Sequence, residues 1–309
     1  MSRITSIGGE ALLEGIMMRG PFRTTCAFLD PKGNISTEDI EMEYLTKKYK
    51  ICSLPIIRGV FSFIDSLRLG SRAMNLSAEK AGLDDEEELS GFDKWLNDKL
   101  GDKLTGIIVG IGSVLGVALA VVLFMLVPTL LFNGIKHLTG DSIEPLRSVF
   151  EGILKMLVFV LYIFIISRIP DIHRVFMFHG AEHKCIFCYE NELELTVENV
   201  RKQPRLHPRC GTSFMVLMII VGIFIGFFIK IQNPALRTCV KILTLPLVMG
   251  FGYELIKYCG KHNNIFTKIV AAPGKWLQKL TTQEPDDDMI RVGIEAIKAV
   301  IPANGEDLL

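Results

Sequence analysis

The sequence predicts an α-helical integral membrane protein with about four transmembrane helices and a small N-terminal β-containing unit on the cytoplasmic side. Three observations predict this fold class. Of the 309 residues, 49% are hydrophobic, and the mean hydropathy is positive at +0.36. Long apolar runs lie in the middle of the chain. The formal net charge is zero, so the composition does not indicate a nucleic-acid-binding surface.

Four apolar runs are each close to the length that crosses a hydrocarbon core of about 30 Å. They cover residues 107–132, 149–167, 213–229 and 236–256. The first and third runs contain no charged residue, whereas the second contains Glu151 and Lys155 and the fourth contains Lys241 and Glu254. Charged side chains near the ends of a span can reach the interface, so we predict that all four runs cross the membrane.

The distribution of lysine and arginine predicts the orientation of these spans. Basic residues crowd the segments before the first run, between the second and third runs, and after the fourth run. Because basic loops stay in the cytoplasm, both termini and residues 168–212 are predicted to face it. Residues 1–15 lack a basic segment followed by an apolar core, so no cleavable signal is predicted. Cysteines on this reducing side are not expected to form disulfides.

The chain divides by composition into four segments. They are a cytoplasmic β unit at 1–50, amphipathic interfacial helices with an acidic linker at 51–104, a four-helix membrane domain at 105–260 with a cytoplasmic His/Cys segment at 168–212, and a cytoplasmic C-terminal tail at 261–309. Residues 30–34, Asp-Pro-Lys-Gly-Asn, predict a hairpin turn in the β unit. Residues 55–81 fit a helix that lies on the inner membrane surface or one that packs on the β unit. The acidic linker is residues 84–88, and a second amphipathic helix is predicted at 92–104.

The residues best suited to chemistry lie between 179 and 214. If this segment begins as a helix, His179 and His183 share a face and Glu182 lies beside them. That arrangement suits two imidazoles on one metal ion and a carboxylate next to a metal-activated water. The order His-x-x-Glu-His is that of inverzincin metallopeptidases. Gly180 argues against the helix, because glycine in a helix interior costs about 1 kcal/mol.

A second pair of candidate ligands follows about thirty residues later. His207 and Cys210 have the spacing of a zinc knuckle, and Gly211 follows them. The predicted ligands are therefore His179, His183, His207 and Cys210, and the predicted cofactor is zinc or another divalent transition metal. One of the glutamates between residues 190 and 198 is an alternative source of the third ligand. A structural zinc clip, or histidines that only form hydrogen bonds, are the other interpretations.

Two further features of the chain are open to more than one interpretation. Glu254 is an ionisable residue near the inner end of the fourth run, where a functional role competes with a simple pair with Lys257. Cys185 and Cys188 form a Cys-x-x-Cys without a thioredoxin-like pattern around it, so we expect idle thiols or extra ligands.

Four stretches together resemble a known family. They are the glycine-rich segment 8–21, the His-Gly-Ala-Glu-His-Lys segment 179–184, the segment 207–214 that begins His-Pro-Arg-Cys-Gly-Thr, and the segment 273–282 that begins Pro-Gly-Lys-Trp-Leu. With them the chain resembles, over nearly its whole length, the YqhQ-like family of bacterial inner-membrane proteins, a domain of unknown function labelled as predicted metal-dependent enzymes. The resemblance implies a multi-pass protein of the bacterial inner membrane. It also adds candidate functional residues that match the family pattern: Glu14, Arg19, Lys184 and Arg209.

The sequence supports two main hypotheses about function. In the first, the protein is a metal-dependent hydrolase of a membrane-associated peptide or lipid headgroup, and Glu182 is the general base. In the second, it is a non-enzymatic scaffold or assembly factor that binds a membrane-protein partner such as the protein-insertion machinery. A transporter or channel is less consistent with the absence of an internal repeat. Glu182 discriminates between the first two, because only an enzyme needs its carboxylate.

Overall fold

A computed structural model describes residues 4–81, 103–262 and 264–307. The chain forms two units, which are described separately. One unit contains Met1–Leu83, Val160–Val221 and Leu245–Leu309, and the other contains Asp84–Phe159 and Gly222–Thr244. The predicted acidic linker at 84–88 and most of the helix predicted at 92–104 lie outside the described residues.

The helices are numbered in chain order. They are α1 (Leu45–Lys48), α2 (Ile57–Lys80), α3 (Lys103–Val121), α4 (Val127–Thr139), α5 (Arg147–Ile166), α6 (Pro170–Glu190), α7 (Val197–Arg201), α8 (Gly211–Gly226), α9 (Pro234–Leu243), α10 (Leu245–Lys261), α11 (Ile265–Thr281) and α12 (Asp287–Val300). Short 3-10 segments at Lys50–Ser53 and Asp141–Leu146 and a π-helical segment at Val122–Leu126 complete the helical structure of the described residues.

The N-terminal part of the first unit is a four-stranded antiparallel sheet. Its strands, β1 (Gly8–Leu12), β2 (Gly15–Arg19), β3 (Thr24–Leu29) and β4 (Ile35–Asp39), pair in sequence order. In the predicted turn, the Asp30 carboxylate accepts hydrogen bonds from the backbone amides of Lys32 (2.9 Å) and Asn34 (2.7 Å). Gly33 there has φ +82°, which glycine adopts without strain. The predicted N-terminal β-containing unit is confirmed.

Both faces of the sheet are apolar and both are covered. Ile16, Met18 and Ala27 pack against α6 and α12 in one buried cluster. On the opposite face, Met17, Cys26 and Phe28 pack against Leu69 and Ala73 of α2 in a second cluster. Residues that alternate along a strand point to opposite faces, so the sheet separates two cores. Of the two alternatives for residues 55–81, the structure contains the helix packed on the β unit.

The C-terminal segment belongs to the core of the first unit. The predicted tail at 261–309 contains α11 and α12, and α12 buries Met289, Ile290 and Ile297 against the sheet. The Thr5 hydroxyl donates to the Asp307 carboxylate (2.6 Å), and the Ser6 amide donates to the Asp307 carbonyl (2.6 Å). The segment is therefore not a separate tail, because the sheet face needs an apolar helix to cover it.

Two described helices are long and apolar enough to cross a membrane. They run over Gly110–Thr139 (30 residues) and Ser142–Ile166 (25 residues). A third candidate is the pair Pro234–Leu243 and Leu245–Cys259, which is bent by 47°. The bend follows from Pro246, which lacks an amide proton and clashes with the preceding turn.

The predicted count of four spans is not reached by these criteria. Gly211–Gly226 is apolar but falls in the shorter class of 10–17 residues, and the fourth predicted span is a bent pair. The described residues thus contain two spans, or three if the bent pair counts as one. These helices indicate a membrane-associated protein.

Candidate metal centre

Helix α6 carries the histidine motif and is packed in the core that it shares with the sheet and α12. Proline at its first position suits a helix start, because that amide would have no helical partner. Phe178, Ala181 and Cys185 on one face are buried against the sheet and α12. This packing fixes the rotation of the helix, so His179, Glu182 and His183 take defined directions.

Gly180 has a packing function within the motif. A Cβ atom at this position would lie 2.0 Å from the Gln283 carbonyl oxygen. The Gln283 amide in turn donates a hydrogen bond to the Phe176 carbonyl (2.8 Å). The backbone after α11 therefore lies directly on α6. Glycine lowers the stability of the helix, but only a residue without a Cβ atom allows this close approach.

Three donor atoms converge beside α6. The Nε2 atom of His179 lies 3.1 Å from the Sγ atom of Cys210. One ligand atom from each of His179, His183 and Cys210 lies within 4.8 Å of the other two. Two imidazoles and a thiolate are a ligand set that zinc and related divalent transition metals accept.

The two histidines are oriented by backbone carbonyls. The Nδ1 atom of His179 donates to the Thr281 carbonyl (2.8 Å), and that of His183 donates to the Arg205 carbonyl (2.5 Å). A carbonyl only accepts, so in the neutral rings the proton is on Nδ1 and Nε2 carries the free electron pair. Such outer hydrogen bonds are typical of histidines that bind metal.

The unsatisfied ring nitrogen of His183 tests whether a metal fits. Its Nε2 atom is buried and has no hydrogen-bond partner among the described residues. Buried polar atoms without partners are rare in proteins, and an ion explains one that faces other ligands. The donor set therefore fits a metal ion.

Cys210 is prepared for binding by its surroundings. Burial alone would raise the pKa of its thiol, but the neighbouring His183 ring and the hydrogen bonds from Thr212 lower it overall. The Thr212 amide lies 3.5 Å from the sulfur at the start of α8. The thiolate is the form that binds metals, so a lowered pKa favours the ligand.

His207 lies behind the donor set and does not join it. Its Nε2 atom is 3.5 Å from the Glu190 carboxylate, and its ring centre is 5.5 Å from that of His183. The Glu190 carboxylate also accepts a hydrogen bond from the Thr5 amide (3.0 Å) and forms an ion pair with Arg209. Glu190 was one of the alternative ligands, but its carboxylate is engaged by Thr5, His207 and Arg209. His207 and Glu190 therefore stabilise the segments around the donor set and are not part of it.

Glu182 is buried beside the donor atoms, with 4% of its surface exposed. Burial raises the pKa of its carboxyl to about 8, and His179 and the Gly9 amide oppose the shift. A Cβ at Gly9 would lie 2.9 Å from the Glu182 Cγ atom. The glycine-rich segment therefore leaves room for this carboxylate.

The sequence analysis missed Glu10, which follows Gly9 on β1. Its carboxyl oxygens would lie 3.1 Å from a Cβ at Gly70 of α2, so the side chain is on the α2 side of the sheet, at the wall of a cleft. Burial raises the pKa of its carboxyl, while the charge of His179 lowers it. The only sequence signal was its place in the glycine-rich segment, since nothing in the spacing relates β1 to α6.

A cleft of about 860 Å³ opens beside Gly9 and Glu10, between the sheet and α2. Its walls include three basic side chains, Arg19, Arg23 and Lys47, and the aromatic rings of Phe22 and Tyr44. The Arg19 guanidinium lies 4.5 Å from the centre of the Tyr44 ring. A cleft of this size accepts a small ligand or part of a chain.

Comparisons with known proteins identify the family of the chain. The family described as "Protein of unknown function (DUF1385)" matches residues 54–303. The chain belongs to the DUF1385 family. It is 33% identical over 296 residues to "Uncharacterized protein YqhQ" of Bacillus subtilis (strain 168). The aligned region covers 95% of this chain and 92% of that protein. No solved structure matches the chain. The resemblance to the YqhQ-like family is confirmed.

Two other candidate residues of this DUF1385 protein form ion pairs within the first unit. Glu14, in the turn between β1 and β2, binds Arg174 of α6 through two contacts of 2.5 Å. Glu254 of α10 binds Arg58 (2.6 Å) and the Ile56 amide (3.2 Å) at the start of α2. The expected pair of Glu254 with Lys257 is replaced by this contact between two helices.

The remaining candidates of the DUF1385 chain also connect elements. Lys184 donates to the carbonyls of Arg201 (3.0 Å) and Gln203 (2.8 Å) and pairs with Glu284 (3.0 Å). These contacts hold the segment that leads to His207. Arg209 binds Glu190, as described above, whereas Arg19 lines the cleft.

The cysteine pair of α6 lies away from the donor set. Cys185 and Cys188 are buried and free. Burial raises the pKa of both thiols. They pack in the core that α6 shares with the sheet, which agrees with idle thiols.

Proposed function

We propose that this protein is a metal-dependent hydrolase that acts at the cytoplasmic surface of the bacterial inner membrane. The observation that carries the proposal is the convergence of His179, His183 and Cys210 beside the buried carboxylate of Glu182. Catalytic zinc sites use three protein ligands and keep one position open, whereas structural sites use four. His179 and Cys210 are only half-buried, which supports an accessible site.

The chemistry follows from the roles of the side chains. A zinc or similar ion at the three donors would supply Lewis-acid activation of water and of the substrate carbonyl or phosphoryl group. The Thr281 and Arg205 carbonyls hold the imidazoles in the binding tautomer. Burial raises the pKa of Glu182 to about 8, and a cation at the neighbouring donors would lower that pKa. The carboxylate, held by the Gly9 amide, would then accept a proton from water and return it to the leaving group.

The cleft supports a polar substrate. Its lining has three basic side chains, Arg19, Arg23 and Lys47, and three acidic ones, Glu10, Asp39 and Glu41, beside aromatic surface. Gly9 is common to the wall of the cleft and to the surroundings of Glu182. Helix α6 begins four residues after the end of the span at Ile166. A lipid headgroup or a membrane-associated peptide therefore suits both the cleft and the short distance along the chain to the bilayer.

The folding of the first unit supports four membrane crossings. Thr5, α6 and α12 belong to one folded body, which must lie on one side of the membrane. The chain leaves this body and returns to it twice, so each excursion needs an even number of crossings. If the bent pair is one span, α8 must cross as well. The basic residues around 168–212 favour the cytoplasmic side for this body and for both termini.

Metal content of the purified full-length protein tests the proposal. We expect about one zinc or other transition-metal ion per chain, lost in His183→Ala and in Cys210→Ser. The His207→Gln variant should keep its metal, because His207 faces Glu190. Wild-type protein that folds without metal contradicts the proposal.

The scaffold hypothesis gives a different result. It predicts that a metal, if bound, only holds the loop between α6 and α8. Replacement of Glu182 would then leave both the metal and the cellular role of the protein intact.

A further inference from the structure

The second unit contains a buried cluster of charges inside its apolar helices. Glu151 of α5, with 5% of its surface exposed, accepts hydrogen bonds from Arg147 (3.1 Å), Arg237 (3.1 Å) and Lys241 (2.6 Å). Arg147 and Arg237 are 4% and 1% exposed. Ionisable side chains are costly inside a membrane domain, and those that occur there usually serve a function.

The guanidinium nitrogens of the two arginines, Arg147 and Arg237, all donate hydrogen bonds to other protein groups. Arg147 also donates to Glu144 (3.2 Å) and to the Asn133 side chain (2.9 Å). Arg237 donates through its remaining nitrogens to Glu151 (3.1 Å) and to the carbonyls of Ile229 and Ile231. Each nitrogen of both guanidinium groups therefore has a partner. Their role is to connect α4, α5 and α9.

The two lysines, Lys155 and Lys241, have N–H donors without a partner among the described residues. Lys241 donates to Glu151 and to the Thr129 hydroxyl (3.0 Å), which leaves one of its three N–H groups free. Lys155 lies one turn beyond Glu151 on α5, close enough for its charge to interact with Lys241 and Glu151. No hydrogen bond or ion pair to another described residue engages Lys155. Up to four N–H donors therefore remain available between the two ammonium groups.

Among the described residues, the charges around these lysines do not balance. Four basic side chains, Arg147, Lys155, Arg237 and Lys241, surround the carboxylate of Glu151, and Arg147 also pairs with Glu144. Lys155 is also close to the middle of the span Ser142–Ile166. Uncompensated charge in a low-dielectric interior is strongly unfavourable, so an additional anion would stabilise the cluster.

We infer that the second unit binds an oxyanion, such as a phosphate group, between Lys155 and Lys241. Two flexible ammonium groups with free donors suit a compact oxyanion that accepts several hydrogen bonds. The anion can be the phosphate of a lipid headgroup or a free phosphate ion, since both present the same oxygens. This site is independent of the metal centre and of the proposed hydrolysis.

Thermal unfolding of the full-length protein tests the inference. The protein is purified in a maltoside detergent, which contains no phosphate, with gluconate as the background anion. Inorganic phosphate is titrated at constant ionic strength, and phosphatidylglycerol is titrated separately. We expect a saturable rise in Tm with at least one of them, because a ligand that binds only the folded state stabilises it. A response to the lipid alone identifies the headgroup, and a response to phosphate identifies a free ion.

Three variants show whether the response belongs to this site. Lys155→Met should abolish it and should be at least as stable as wild type in gluconate, because it removes an uncompensated charge. Lys155→Arg should retain the response. Lys230→Met is the matched control, since Lys230 is exposed in the same unit, and it should behave as wild type. A wild type that responds to neither anion overturns the inference, as does an undiminished response in Lys155→Met.

Discussion

His179 and His183 each give their Nδ1 proton to a backbone carbonyl, and this contact determines how their second nitrogens can be used. The Nε2 atom of His179 lies 3.1 Å from the sulfur of Cys210, and that of His183 is buried with no hydrogen-bond partner among the described residues. Without an ion, the site would bury an unsatisfied acceptor, which costs about 1–3 kcal/mol. The proposed metal removes this cost.

Glu182 carries the residue-scale prediction about catalysis. Glu182→Gln keeps a side-chain oxygen for the Gly9 amide but removes the base. We expect metal content and Tm to remain as in wild type, while hydrolysis falls at least about 100-fold. The assay is release of p-nitrophenol from p-nitrophenyl esters and phosphodiesters by the reconstituted protein. Glu198→Gln, on an exposed pair with Lys202, is the control and should leave hydrolysis unchanged.

Gly180 carries a second prediction at this scale. Gly180→Ala places a methyl group 2.0 Å from the Gln283 carbonyl. Despite a gain in helix propensity of about 1 kcal/mol, we expect a net loss of about 1–3 kcal/mol in the free energy of unfolding. Gly222→Ala is the matched control, because nothing lies within 4 Å of a Cβ at that helical glycine. Equal Tm values for the two variants would show that the close approach of Gln283 is unimportant.

At the scale of elements, α6 and α12 act together. Helix α6 presents the ligands on one face and packs on the sheet with another, and α12 fills the space beside it. The proposed metal centre therefore depends on a helix that lies about one hundred residues further along the chain. A substitution that loosens the packing of α12 should therefore also change the position of the candidate ligands on α6.

Ile297 tests this dependence. It is 0% exposed in the core that α6 shares with α12, and Ile297→Ala should lower the free energy of unfolding by about 2–5 kcal/mol. The neighbouring Lys298→Ala, on an exposed position, should change stability by less than about 0.5 kcal/mol. Chemical denaturation of both variants gives the comparison. A small effect of Ile297→Ala would indicate a loosely attached C-terminal segment.

At the scale of the whole molecule, the first unit constrains the topology of the membrane helices. It gathers segments from both sides of the span Ser142–Ile166 and from both sides of the bent pair. A folded body cannot lie on two sides of a bilayer. In the proposed topology the chain therefore returns to its starting side after each excursion.

Reporter fusions test this topology. A reporter enzyme that is active only outside the cytoplasm should be active after residues 140 and 232 and inactive after residues 81 and 264. This pattern corresponds to four crossings. Activity after residue 140 but not after 232 would leave two crossings, with α8 and the bent pair returning on the cytoplasmic side.

Much of the fold was predictable because its signals are local. Apolar runs reveal the long helices, and the Asp-Pro-Lys-Gly-Asn sequence reveals the hairpin between β3 and β4. The helical period placed His179, Glu182 and His183 side by side. Hydropathy could not show that the fourth run bends at Thr244, because it sums over a window and ignores the missing amide of Pro246.

The sequence by itself determined the class of protein, the pair of histidines with their glutamate, and the candidate set from which the ligands come. Only the tertiary structure decided that Cys210 joins the pair while His207 faces Glu190, that Glu10 lines the cleft, and that the C-terminal helix covers the sheet. The physical reason is the range of the interactions. Periodicity and hydropathy act between residues a few positions apart, whereas convergence of distant donors depends on which faces of the helices and the sheet pack together.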